Sequence, residues 1–363
     1  MESRKTTSGK NRRSFLKQSL ATGAMTVGAT ALAERPLDAQ GGSLTRGDAA
    51  LLRFAAAAEL IETDLWQQYA ELGGVTDGEQ NTYQQAFEFL DGDGPQYITS
   101  NTLDELSHAT FLNAYLESKG EEPVNFDQFR TLPSSQATGA RNVGRLTTLF
   151  QLNVDTSWYI RDRSTTNPDF GATYPQALQI VDRRAIPKAD IDFENPERIQ
   201  SIANIAAFHF GAIEQGGSSL YATFAQQASN LEVLRILLGI GGDEIRHFGE
   251  WMDFAGNAVQ GPPFSFAGQN TPVTNHGLTF SNFNDPMFGP LFQTNLIFPV
   301  PCEFISRNLP LCAVIRPIGG LGTFARAAAN AFIQSNLFMG QSPTFISMLK
   351  QLAAEADQAA RGF

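Results

Sequence analysis

The pattern Glu-x-x-His occurs twice in this chain, as Glu105-Leu-Ser-His108 and Glu244-Ile-Arg-His247, each inside a stretch with helical apolar spacing. Residues three apart share one face of an α-helix, so each copy presents a carboxylate and an imidazole side by side. Two further helical stretches embed glutamates in apolar surroundings: Ala58-Glu59-Leu60-Ile61-Glu62 and Ile213-Glu214-Gln215. Taken singly, each glutamate reads as a solvated face and each histidine as a core imidazole. Four helices that each carry one such position ask for a shared explanation. A glutamate from each of two helices plus Glu-x-x-His from each of the other two is the ligand set of a di-iron or di-manganese carboxylate bundle. Oxygen-rich ligation with one imidazole per ion suits iron or manganese and speaks against structural zinc.

The spacing of apolar residues predicts an all-α fold. One helix runs from Leu44 to Leu72 and stops at Gly73-Gly74, and a shorter one over residues 79–90 is broken by Asp91-Gly92-Asp93-Gly94-Pro95. The next spans Tyr97 to Lys119. Pro196 to Gln227, with Asn195 as its cap, and Asn230 to Ala255 form a second hairpin. Residues 121–195, with one helix expected over 142–161, supply the long crossover that a four-helix bundle needs between its two hairpins. Residues 257–318 are rich in Phe, Pro, Asn and Gly and lack a period, and their aromatic content predicts a structured extension. A last helix over Thr323 to Arg361 is expected to pack on the bundle.

The N-terminus reads as an address. Arg12-Arg13-Ser14-Phe15-Leu16 precedes a mildly apolar run from Ser19 to Ala33, too short to span a bilayer, and Ala31-Leu32-Ala33 offers a cleavage site. The pattern resembles a twin-arginine export signal, which predicts a mature chain beginning near residue 34 in the periplasm or outside the cell. In an oxidising compartment Cys302 and Cys312 read as a disulfide pinning a loop, with two free thiols as the alternative. Two thiols are too few for a rubredoxin-type iron site or a cysteine-held iron–sulfur cluster. A net charge of −11 argues against nucleic acid as a partner.

Residues 50–72, 97–116, 205–225 and 235–254 resemble the ferritin-like family that includes desiccation-related proteins and many exported bacterial proteins. The resemblance implies a two-metal centre at Glu59, Glu105, His108, Glu214, Glu244 and His247, holding two iron ions, or manganese in their place. Glu59 is followed by Leu65 and Trp66 as Glu214 is by Leu220 and Tyr221. This makes the two helices equivalents and favours Glu59 over Glu62 as the bridging ligand, with Glu62 as the alternative. His209 is expected to be buried on another face, Asp243 to point away, Arg246 to pair with a carboxylate, Glu250 to lie at the surface, and Trp66, Tyr69 and Tyr221 to belong to the core. The functions compatible with this reading are a ferroxidase or oxidoreductase that reacts with dioxygen or peroxide, an oxidase for an organic substrate, a non-catalytic metal-binding or stress-protective protein, and a purely structural bundle.

Overall fold

The computed structural model describes residues 43–75, 81–156, 158, 180–259 and 324–359, with short pieces at 274–275, 278–279, 298–300, 308 and 312–314. The leader over residues 1–33, the pairing of Cys302 with Cys312, and His276 lie outside the described residues.

Helix α1 (Arg46–Gly73) begins at Thr45, whose hydroxyl accepts from the Asp48 amide at 3.0 Å. The Asp48 carboxylate in turn accepts from the Ser229 amide at 2.9 Å, fixing the start of α1 against the far hairpin's turn. Most of α1 is buried on every side, as a helix surrounded by other elements must be. Next come α2 (Asn81–Glu88) and α3 (Gly94–Ser118). The sequence reading counted Gly94-Pro95 as a breaker. Proline has the right φ and no amide to lose in a helix's first turn, so these residues start α3 instead.

Helix α4 (Pro196–Gln227) is capped by Asn195, which accepts from the Arg198 amide at 3.0 Å, and α5 (Leu231–Val259) follows after a turn of three residues. Helices α1 and α3 pack as one hairpin and α4 and α5 as the other. Across the bundle Tyr115 bonds Glu232 while Asn101 bonds Trp251, so α3 and α5 run antiparallel. Tyr69 meets His209 while Phe54 meets Phe224, so α1 and α4 do too. The crossover therefore traverses the length of the bundle.

Within the crossover, residues 142–156 are not helical. Leu146, Leu149 and Leu152 are buried at every third position, which mimics a helix, yet the backbone bonds outward. The amides of Leu146 and Thr147 donate to Asp64 at 3.0 and 2.8 Å, and that of Thr148 donates to the Leu337 carbonyl at 2.8 Å. The short strand β1 (Leu152–Val154) pairs antiparallel with β2 (Ile180–Arg183). Farther on, β3 (Thr274–Asn275) pairs with β4 (Leu278–Thr279), and β5 (Phe298–Val300) with β6 (Cys312–Val314). The C-terminal stretch is two helices, α6 (Phe324–Gln334) and α7 (Pro343–Asp357). Asn336 at φ 63° and Gly340 at φ 91° turn the chain between them, and Ser342 caps α7. Helix α7 packs on α1, and α6 packs on α7 and α4.

Candidate metal centre

An aromatic layer closes one side of the site. Trp66 of α1, Phe210 of α4 and Trp251 of α5 stack with ring centroids 4.6 to 5.2 Å apart. The Trp251 indole donates to Asn101 Oδ1 at 2.6 Å, and the Asn101 amide donates to Glu105 at 2.6 Å and to Glu214 at 3.1 Å. Packing and hydrogen bonds thus orient two of the carboxylates.

The structure brings all six expected residues together, none more than 8% exposed. His108 Nδ1 lies 3.3 Å from Glu105, 3.4 Å from Glu59 and 3.5 Å from Glu244. His247 Nδ1 lies 3.1 Å from Glu105 and 3.3 Å from Glu214. Two groups able to hold a metal result: Glu59, Glu105, His108 and Glu244 in one, Glu105, Glu214, Glu244 and His247 in the other. Glu105 and Glu244 belong to both groups, and Glu59, expected as the bridging ligand, belongs to one. Glu62 is buried nearby but belongs to neither group. Five buried atoms here make no aligned hydrogen bond, namely Glu59 Oε2, Glu214 Oε2, both oxygens of Glu244 and His247 Nδ1, although all but Glu244 Oε2 lie within 3.5 Å of an ion-pair partner. Proteins rarely leave buried polar atoms without aligned bonds, and the ligand atoms of each group lie within 4.8 Å of one another, close enough to share a cation.

The model of the ferritin-like domain family matches residues 47–257, which cover α2 to α4, nearly all of α1 and α5, and all six converging residues. The chain belongs to the ferritin-like family. No curated protein and no solved structure matches it.

In this ferritin-like centre the outward side of each imidazole meets a carboxylate from the opposite hairpin. His108 Nε2 on α3 lies 3.3 Å from Asp243 on α5, and His247 Nε2 on α5 lies 3.2 Å from Asp104 on α3. A carboxylate on the second ring nitrogen fixes ring orientation and raises the basicity of the first. Asp243 therefore does not point away, because α3 and α5 are close enough for it to reach across. Asp104 was not anticipated at all. The available signal was a longer repeat, Asp-Glu-x-x-His, beginning at both Asp104 and Asp243. Arg246 does pair with carboxylates, binding Asp104 at 2.7 Å, Asp243 at 2.9 Å and Glu250 at 3.0 Å. Glu250 is half-buried by that contact. Tyr221, expected simply as core, donates its hydroxyl to Glu59.

Burial pushes the Glu105 carboxyl up to about 8, with the charges of Glu214 and Glu59 adding to the shift. Burial and the neighbouring carboxylates also raise Glu244 and Glu62 well above the ordinary range. Burial alone would lower both histidines, but the facing glutamates outweigh it and hold His108 and His247 far above the usual imidazole range. The cluster thus collects protons against an excess of negative charge. Two divalent cations would balance Glu59, Glu105, Glu214 and Glu244 with both imidazoles neutral. By contrast, burial pushes His209 down to about 3, and its Nδ1 lies 2.7 Å from the Tyr69 hydroxyl, outside the cluster.

Proposed function

We propose that this ferritin-like protein holds two iron ions, or manganese, in the two overlapping groups, and that the loaded centre reacts with dioxygen or peroxide as a ferroxidase or related oxidoreductase. The supporting observation is the convergence of the six residues, all buried, into two overlapping groups of carboxylates and imidazoles. Glu59 and Glu214 would each face one ion, Glu105 and Glu244 both, and His108 and His247 one each. Iron supplies reversible one-electron chemistry when bound. The chain supplies geometry and exclusion of water, with Asp104 and Asp243 orienting the imidazoles and Tyr221 holding a proton toward Glu59.

The deciding experiment is metal content by mass spectrometry, wild type against His108→Ala/His247→Ala, followed by oxygen-electrode assays with Fe(II). About two ions per chain in the wild type, lost in the variant, are expected; negligible metal in both after reconstitution sinks the reading. Burial of all six residues favours a second reading, a non-catalytic metal-binding or stress-protective protein. That reading requires bound metal without oxygen or peroxide consumption.

Among the described residues no helix is long and apolar enough to cross a membrane. The paired Arg12-Arg13 before an apolar run supports export by the twin-arginine route, which carries folded proteins and so permits metal loading before transport. Retention of an Arg12→Lys/Arg13→Lys variant in the cytoplasm is the expected result of cell fractionation; unchanged export refutes this route.

A further inference from the structure

Aligned on Glu59 and Glu214, the sequences of α1 and α4 part company beside the centre. Where α1 carries Glu62, three residues after Glu59, α4 carries Gly217, three after Glu214. A Cβ at Gly217 would overlap the Glu244 carboxylate, so the missing side chain is what lets Glu244 take its place. Against this break lies a cavity of about 130 Å³ between α1, α4 and α6, lined by both Glu62 and Gly217. Its walls are otherwise mainly apolar, with Ile213, Leu220, Ala328 and Phe332 among them. A volume of about this size accepts a benzene-sized molecule.

One polar group in that lining has unused capacity. His209 is 1% exposed, and its Nε2 has no hydrogen-bond partner. The Tyr69 hydroxyl lies 2.7 Å from Nδ1, and the tautomer in which this hydroxyl donates carries its ring hydrogen on Nε2. An unmatched N–H in an apolar cavity is costly unless a ligand accepts from it.

We propose that this cavity is a binding site for a small uncharged molecule with an apolar body and one hydroxyl, the size and polarity of a phenol, whose oxygen accepts from His209 Nε2–H while its apolar part lies along α4 and α6. The ligand would lie against Glu62 and Gly217, beside Glu244, which places it next to the carboxylate cluster. An anion is disfavoured there by the neighbouring glutamates and by the apolar walls. The site does not depend on metal, so it is tested separately from the reaction proposed above.

The test is calorimetric or NMR titration of the full chain, metal-free and metal-loaded, with phenol, benzene and benzoate. Phenol is expected to saturate one site and to bind about fivefold more tightly than benzene, the worth of one neutral hydrogen bond. Benzoate is expected to show no saturable binding. At Gly216 an added Cβ meets open space, so Gly216→Phe fills the cavity from α4, and Ala328→Phe fills it from α6. Each variant that keeps its helical circular dichroism is expected to lose phenol binding, and His209→Phe to reduce phenol to the affinity of benzene. Absent phenol binding in the wild type, equal affinity for phenol and benzene, or binding that survives both folded wall variants overturns the proposal.

Discussion

Glu59 and Asp64 sit on the same helix, both buried, in opposite circumstances. Asp64 faces the crossover, where it accepts from the amides of Leu146 and Thr147, from the Thr147 hydroxyl at 2.7 Å and from Arg130 at 2.5 Å. Glu71, farther along that side, receives Arg145 at 2.5 Å and the Arg141 amide at 2.9 Å. Glu59 faces the bundle axis, where one of its oxygens makes no aligned hydrogen bond and other carboxylates crowd it. One face of α1 spends its buried charge on holding the chain together. The other keeps buried charge in excess, which lowers the stability of the metal-free protein and raises its affinity for cations.

The largest expected effect separates the two faces outright. Asp64→Ala strands Arg130 and two buried amides, and is expected to cost about 3 kcal/mol in urea unfolding while leaving metal stoichiometry unchanged in the folded fraction. Loss of metal in that fraction would break the distinction. Asp243→Asn is expected to weaken metal binding about 10- to 100-fold in competition with a chelator, with little change in melting temperature; an unchanged affinity removes Asp243 from the centre. Glu244→Gln relieves crowding, so the metal-free variant is expected to be more stable than the wild type by about 1 to 2 kcal/mol near neutral pH, though its metal affinity falls. A destabilised metal-free variant would show that the crowding has no energetic weight.

The last effect is a slope. The folded Glu105 carboxyl titrates at about 8 against an ordinary 4.5, so between those values the folded state keeps a proton that the unfolded state has released. Its contribution is present below the lower value and lost as pH rises through the upper one. The raised histidines act in the same direction above their ordinary 6.5. The melting temperature of the metal-free protein is therefore expected to fall by several degrees from about pH 5 to about pH 8. Metal affinity should rise over the same range, because cations displace those protons. A flat profile for the metal-free protein would mean that the cluster is not crowded in solution.

The bundle helices and the six converging residues were legible because period and spacing are local properties, and α4 matches its sequence-derived limits residue for residue. The misreadings have non-local causes. Residues 142–156 have apolar residues at helical spacing, but their amides are claimed by α1 and the C-terminal region, contacts that periodicity cannot register. The break between α6 and α7 was written in Gly340 and Pro343 and was outweighed by the alanine-rich flanks. That Glu105 and Glu244 are common to both groups and Glu59 to one could not be read locally, since it depends on how two hairpins meet. Asp104 and Asp243 were hidden for the same reason: each serves a histidine on the other hairpin.

That exchange bears on ancestry. One hairpin with a glutamate on its first helix and Asp-Glu-x-x-His on its second lacks a partner for its own imidazole, yet two identical copies around a twofold axis would complete each other. A self-pairing hairpin, later duplicated and fused through a crossover, would have inherited the whole centre at once. The equivalent positions Glu62 and Gly217, and likewise Trp66 and Tyr221, would then mark where the two copies have since diverged.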